Sequence, residues 1–196
     1  MCRTEDRYNT IQASGRTVAH FPFVMGAIAV FYNGDDGAVP NDIQIDACTL
    51  AKIFSGNITT WDHSDIADLN PDASLPSLDI TVVHRTLGSS STAGITQYIE
   101  KASKADGCQE AWNGQGSGST IEWFEGSVAA EGSGGVTAAI KATPGAIGYL
   151  DAGHGYGENL DEVALKNANG IYLVGFVVLS VAFCVFLVVS TPTTPH

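Results

Sequence analysis

Positive charge is scarce in this chain. Nine Lys and Arg stand against 21 Asp and Glu, a formal net charge of −12. Such a surface repels nucleic-acid phosphates and excludes a sequence-independent DNA or RNA role. It also requires any anion site to be local, built from placed donors and one cation, because the global field opposes it. Four cysteines (Cys2, Cys48, Cys108, Cys184) show no C-x-x-C spacing, which removes the zinc and redox motifs. Cys48 and Cys108 either pair in an oxidising compartment or remain free, semi-buried thiols. The histidines, at 20, 63, 84, 154 and 196, are scattered without metal-ligand spacing, so no metal or other cofactor is expected. There is no G-x-S-x-G elbow and no glycine followed by K-[ST]. The first 20 residues, MCRTEDRYNTIQASGRTVAH, lack the apolar core of a secretory signal.

What is present describes a folded, loop-rich chain: 44% hydrophobic residues together with 22 glycines. FPFVMGAIAVFYN (21–33) is a buried strand or two, ended by the NGDDG turn. Ile43 and Ile45 alternate as a short strand, then Leu50, Ile53 and Phe54 mark a helix stopped by Gly56. TTWDHSDIADLNP predicts a short helix capped by Asp or Ser and closed before Pro71. LDITVVHR is a strand by its β-branched density. In TAGITQYIEKAS, residues Ile95, Tyr98 and Ile99 share one helical face. The glycine-rich stretch from Cys108 to Gly135 reads as a long surface segment with one short strand. GVTAAIKATPG is a helix ended by Pro144 and Gly145, and AIGYLDA is the last clear strand. Trp61, Trp112 and Trp123 read as core or lobe-surface residues. Strands alternating with helices make an α/β domain.

The run IYLVGFVVLSVAFCVFLVVS (171–190) carries no charge. As a helix at about 1.5 Å per residue it would roughly cross a hydrocarbon core of about 30 Å. The expectation is a membrane-spanning helix. The competing reading is a misread gene end.

One stretch combines a cation with hydroxyls: HRTLGSSSTAGITQYIEKA (84–102). A strand ending in Arg85, a small-residue turn and then a helix is a geometry that can hold an anion. The first helical N–H groups lack intrahelical partners, and the helix dipole makes that end partly positive. Small residues let the anion approach the backbone, serine hydroxyls add donors, and the planar arginine fork grips two oxygens. The bland alternative, a serine-rich N-cap beside a surface arginine, fits the same residues, and physics alone weighs the two equally.

Five segments resemble, in order and spacing, the substrate-binding proteins of phosphate ABC transporters, the PstS-like family. They are FPFVMGAIAVFYN, LAKIFSGNITTWDHSDIADLNPDASLP, ITVVHRTLGSSST, GSTIEW and TPGAIGYLDAG, within about residues 18 to 170. The resemblance implies a periplasmic-binding-protein type II-like (venus flytrap) fold with one lobe essentially complete, the other partial, and the C-terminal apolar helix added. On that reading residues 1–20 are a remnant of the first lobe or hinge, 21–150 the second lobe and 151–170 a return segment. The family signature R-[ST]-D-G-S-G-T-T places the phosphate ligands on Arg85, Ser89, Ser90 and Ser91. Gly88 and Thr92 would support the helix N-terminus, Thr92 as its cap.

Two positions depart from that signature. Leu87 stands where the family has an aspartate that orients the arginine, and Ser90 stands where it has glycine. The Gly/Ser/Thr loops and the proton-accepting aspartate of the first lobe would lie upstream of Met1. The resemblance implies a non-catalytic protein that captures inorganic phosphate for uptake, on the extracellular or periplasmic side, with a membrane permease as partner. Two other functions remain: a membrane-anchored surface module using a degenerate lobe for protein interaction, and a phosphatase-like enzyme, for which no base or metal set is offered.

Overall fold

The structure is a computed structural model that describes residues 9–10, 12–15, 17–112, 115–174 and 181–189, with 17–25 and 181–189 as backbone only. The chain divides into two compact units, Met1–Gly26 with Ser180–His196, and Ala27–Leu179.

In the smaller unit β1 (Thr17–Gly26) pairs antiparallel with β10 (Val181–Val189), from Thr17 opposite Val189 to Gly26 opposite Val181. The register shifts between Pro22 and Val24. Proline has no N–H to give to a ladder, so the irregularity falls where a donor is missing. This pairing corrects the expectation of a membrane-spanning helix over 171–190. Tyr172–Leu173 and Val181–Val189 are strands, and among the described residues no helix is long and apolar enough to cross a membrane. The physical reason is composition: VAFCVFLVV is dense in β-branched and aromatic residues, which favour extended backbone over helix. Residues 175–180 and 190 of that run, and 1–8, 11 and 16 of the N-terminal segment, lie outside the described residues.

The larger unit is built on a five-stranded sheet of order β5-β4-β6-β2-β7. Its strands are β2 (Ile28–Tyr32), β4 (Thr81–Arg85), β5 (Val128–Ala130), β6 (Ala146–Asp151) and β7 (Asp161–Glu162). β4 runs parallel to β5 and β6, while β2 is antiparallel to β6 and β7. All five residues of β2 are buried, as a continuous apolar strand covered on both faces should be. Ala29, Phe31, Val83 and Leu150 of the sheet pack with Val136 and Ile140 of the helix Gly132–Ala142. A smaller sheet joins β3 (Gln44–Ile45), β8 (Ala164–Lys166) and β9 (Tyr172–Leu173). Residues 151–170 therefore carry β7 and β8, two short strands beyond β6 that the sequence pattern did not announce.

The helices of the larger unit, among the described residues, are α1 (Ala47–Phe54), α2 (Ser64–Ala67), α3 (Ser90–Ala105), α4 (Gly132–Ala142) and α5 (Ala152–Gly157). Asp46 caps α1 by accepting the Thr49 N–H at 2.8 Å. The cap of α2 is neither Asp nor Ser: His63 accepts the Asp65 N–H through Nδ1 at 3.2 Å. Gly145, at φ +73°, turns the chain after α4 into β6 where a side chain would strike the Asp79 carbonyl. A disulfide joins Cys48 of α1 to Cys108, just beyond the C-terminus of α3, and settles the open pairing question. The segment between Cys108 and Gly135 is not merely surface. Gln109–Trp112 forms a 3₁₀ turn with Trp112 buried, and Trp123 packs among aromatic rings.

Candidate functional site

Because β4, β5 and β6 are parallel, their carboxyl ends share one edge of the sheet, and each strand is followed by a helix. In open α/β sheets that edge is where ligands bind. Arg85 is the last residue of β4, half-buried, and Ser90 is the first residue of α3.

Ser89 is the N-cap of α3. Its Oγ accepts the Thr92 N–H at 2.9 Å, and its carbonyl accepts the Ala93 N–H at 3.1 Å. This corrects the assignment of the cap to Thr92, which is the third helical residue and the cap's donor. Helix geometry and the cap leave the Ser90 and Ser91 amides as the free donors of the first turn. Ser89 and Ser90 are half-buried, while Ser91 and Thr92 are buried. The Ser89 N–H donates to the Ser119 carbonyl at 2.9 Å, and the Thr86 N–H to the Ala130 carbonyl at 2.9 Å, so both ends of the turn are tied down. Gly88 sits close to the Ser119–Thr120 segment: a Cβ there would lie 2.9 Å from Thr120 Oγ1, so that side chain would have to turn away. Five residues of the turn and first helical turn are thus brought together beside Arg85.

Leu87, in the place of the family's aspartate, is 61% exposed. Among the described residues no carboxylate forms an ion pair with Arg85, and its Nε is buried without a hydrogen-bond partner. A buried N–H without an acceptor is costly, and it is a donor that an anion can satisfy.

Behind this turn lies a cluster of rings that sequence reasoning missed as part of the site. Tyr149 of β6 accepts the Arg85 backbone N–H at 3.1 Å and lies 2.7 Å from Thr92 Oγ1. Trp123 stacks on Tyr149 (centroids 5.9 Å apart) and on His84 (4.9 Å). Burial raises the Tyr149 hydroxyl above its ordinary range, so it stays protonated. Burial likewise lowers the His84 imidazole, opposed by its contact with the Arg85 carbonyl. The only advance signal for Tyr149 was its place in the TPGAIGYLDAG segment.

An α/β lobe with an arginine at a parallel strand's carboxyl end and hydroxyls at the next helix's N-terminus has the architecture of a binding-protein lobe. The chain belongs to the PBP superfamily, whose domain model matches residues 3–182. It is 32% identical over 179 residues to the phosphate-binding protein PstS of Methanocaldococcus jannaschii, covering 86% of this chain and 43% of that one. It is 39% identical over 137 residues to phosphate-binding protein PstS 3 of Mycobacterium tuberculosis, covering 69% of this chain and 34% of that one. The resemblance to the PstS-like family is thereby borne out, and the chain spans less than half the length of these relatives. In structure it is similar to the high-affinity periplasmic phosphate-binding protein PfluDING bound with phosphate. That match has a TM-score of 0.62 at 20% identity, covering 88% of this chain and 47% of that one. A putative phosphate ABC transporter substrate-binding protein with bound phosphate from Clostridium perfringens matches with a TM-score of 0.55 at 17% identity, over 87% and 54%. At these identities the structures establish the fold, an α/β lobe of periplasmic-binding-protein type.

Proposed function

We propose that this chain binds inorganic phosphate without chemical turnover, as a solute-capturing component of phosphate uptake that hands its ligand to a membrane permease. The observation that carries the reading is Arg85: a cation without a carboxylate partner among the described residues, its Nε buried and unpaired, beside a capped helix N-terminus. An oxyanion between them satisfies both positive features at once. In this reading the arginine fork grips two oxygens, the Ser90 and Ser91 amides and the Ser89 and Ser91 hydroxyls take the others, and Gly88 and Thr92 hold the turn. The names of the relatives, all binding proteins, agree with binding rather than catalysis. A location outside the cytoplasm is supported by the Cys48–Cys108 disulfide, a bond that persists in oxidising compartments.

Isothermal titration with phosphate tests the reading on the parent chain and on Arg85→Ala. Removing a charge-assisted bidentate contact is expected to cost about 2 kcal/mol or more, roughly a thirtyfold loss. Equal phosphate affinity in the two proteins would remove Arg85 from the site and the proposal with it.

A further inference from the structure

We propose that Tyr149 fixes the hydrogen-bond polarity of this site, so that Ser89 offers the ligand a proton and never a lone pair. The inference rests on the phosphate-site reading above and follows from accounting for hydrogens along a chain of four groups. The Arg85 backbone N–H can only donate, and it donates to the Tyr149 hydroxyl oxygen at 3.1 Å. The Tyr149 proton then has Thr92 Oγ1, at 2.7 Å, as its acceptor, and this contact is buried. A buried hydroxyl proton left without an acceptor is expensive, so Tyr149 donates to Thr92. The Thr92 hydroxyl has accepted and must place its own proton, and Ser89 Oγ is 3.0 Å away. Ser89 Oγ already accepts the Thr92 N–H at 2.9 Å. With both acceptor positions taken from behind, the Ser89 proton is left to point outward.

The sequence of donation therefore runs from the Arg85 N–H through Tyr149 and Thr92 to Ser89, and ends at the place assigned to the anion. Tyr149 is a positioning residue: it touches no ligand and acts through two other hydroxyls. Burial keeps its phenol protonated, which the sequence requires. Phe54 and Trp123 fix the ring, with centroids 6.2 and 5.9 Å from that of Tyr149. A donor-only Ser89 favours an oxyanion that presents bare oxygen. At that position an unprotonated oxygen accepts better than a P–OH, so the dianion, with more bare oxygens and more charge, is favoured over dihydrogen phosphate. Without Tyr149 the Thr92 hydroxyl is free to accept, Ser89 can turn its proton inward, and its lone pairs face the ligand.

Titrations of the full chain with inorganic phosphate, and separately with sulfate, on both sides of phosphate's second ionisation test this. Among the described residues, the charged group that bears on Tyr149 is Arg85, and the titratable His84 stacks on the shared Trp123. Sulfate keeps its charge throughout and so reports any effect of His84. In the parent, phosphate affinity rises with pH more than sulfate affinity does. Tyr149→Phe is expected to weaken phosphate binding about fivefold, the worth of one hydrogen bond, and to blunt that extra rise. Thr92→Val should do the same, and Thr92→Ser should recover most of what Thr92→Val loses. If Arg85→Ala abolishes binding while Tyr149→Phe keeps both parent affinity and parent pH response, the relay is wrong and the site stands. If binding is indifferent to Arg85, the site itself is wrong and the relay falls with it.

Discussion

At the scale of single residues, the proposed site joins Arg85, a cation with no carboxylate partner among the described residues, to a helix cap, Ser89, through a buried tyrosine. His84 sits directly before the arginine, 8% exposed and stacked on Trp123. Its imidazole is held below its ordinary pKa chiefly by burial. The sign follows: the unfolded chain takes up the proton first, so the folded state is fully favoured above about pH 6.5 and loses stability as pH falls toward the lowered folded value. His84→Gln, which cannot titrate, should flatten that acid-side slope in urea unfolding followed by tryptophan fluorescence. An unchanged slope would place the acid sensitivity elsewhere. At this scale the sequence was informative because a charge before a run of hydroxyls is a local pattern. Arg85, Gly88, Ser89, Ser90 and Ser91 could be picked out within seven residues. Tyr149 could not, since it lies 57 residues beyond Thr92 and an aromatic in an apolar strand reads as core.

At the scale of elements, the long periodic segments were legible and the two-residue strands were not. The helix Ser90–Ala105 shows its buried face through Ile95 and Ile99, and Thr81–Arg85 shows its strand through β-branched density. Strands β7 and β9, two residues each, are too short for any periodicity to register. The apolar run near the C-terminus failed for another reason: uninterrupted hydrophobicity cannot tell a helix from an extended strand, and pairing with Thr17–Gly26 lies far off in sequence. The disulfide belongs to this scale as well. It ties α1 to the end of α3 across 60 residues, and by loop-closure entropy its loss should cost about 4 kcal/mol. Urea unfolding with and without reductant, repeated on Cys48→Ser with Cys108→Ser, measures this. Coincident midpoints for oxidised and reduced protein would mean the crosslink adds nothing to stability.

For the whole molecule, the balance is between one local positive site and a net charge of −12. Long-range repulsion is mild and screened by salt, whereas the contacts at Arg85 are short, so binding is decided locally. The chain spans 43% of its relative from Methanocaldococcus jannaschii, and the ligands proposed all come from the single unit Ala27–Leu179. An anion held from one side keeps much of its water, and each contact is weakened by the solvent dielectric. Binding by this chain alone is therefore expected to be roughly millimolar, about −4 kcal/mol, and weaker with added salt. The most direct test of the central claim is an NMR titration with inorganic phosphate that follows the amides of residues 88–92. Saturable shifts led by Ser90 and Ser91 are expected, with a roughly millimolar midpoint that moves up about thirtyfold in Arg85→Ala. Shifts that bypass these amides, or that persist unchanged without Arg85, would contradict the claim.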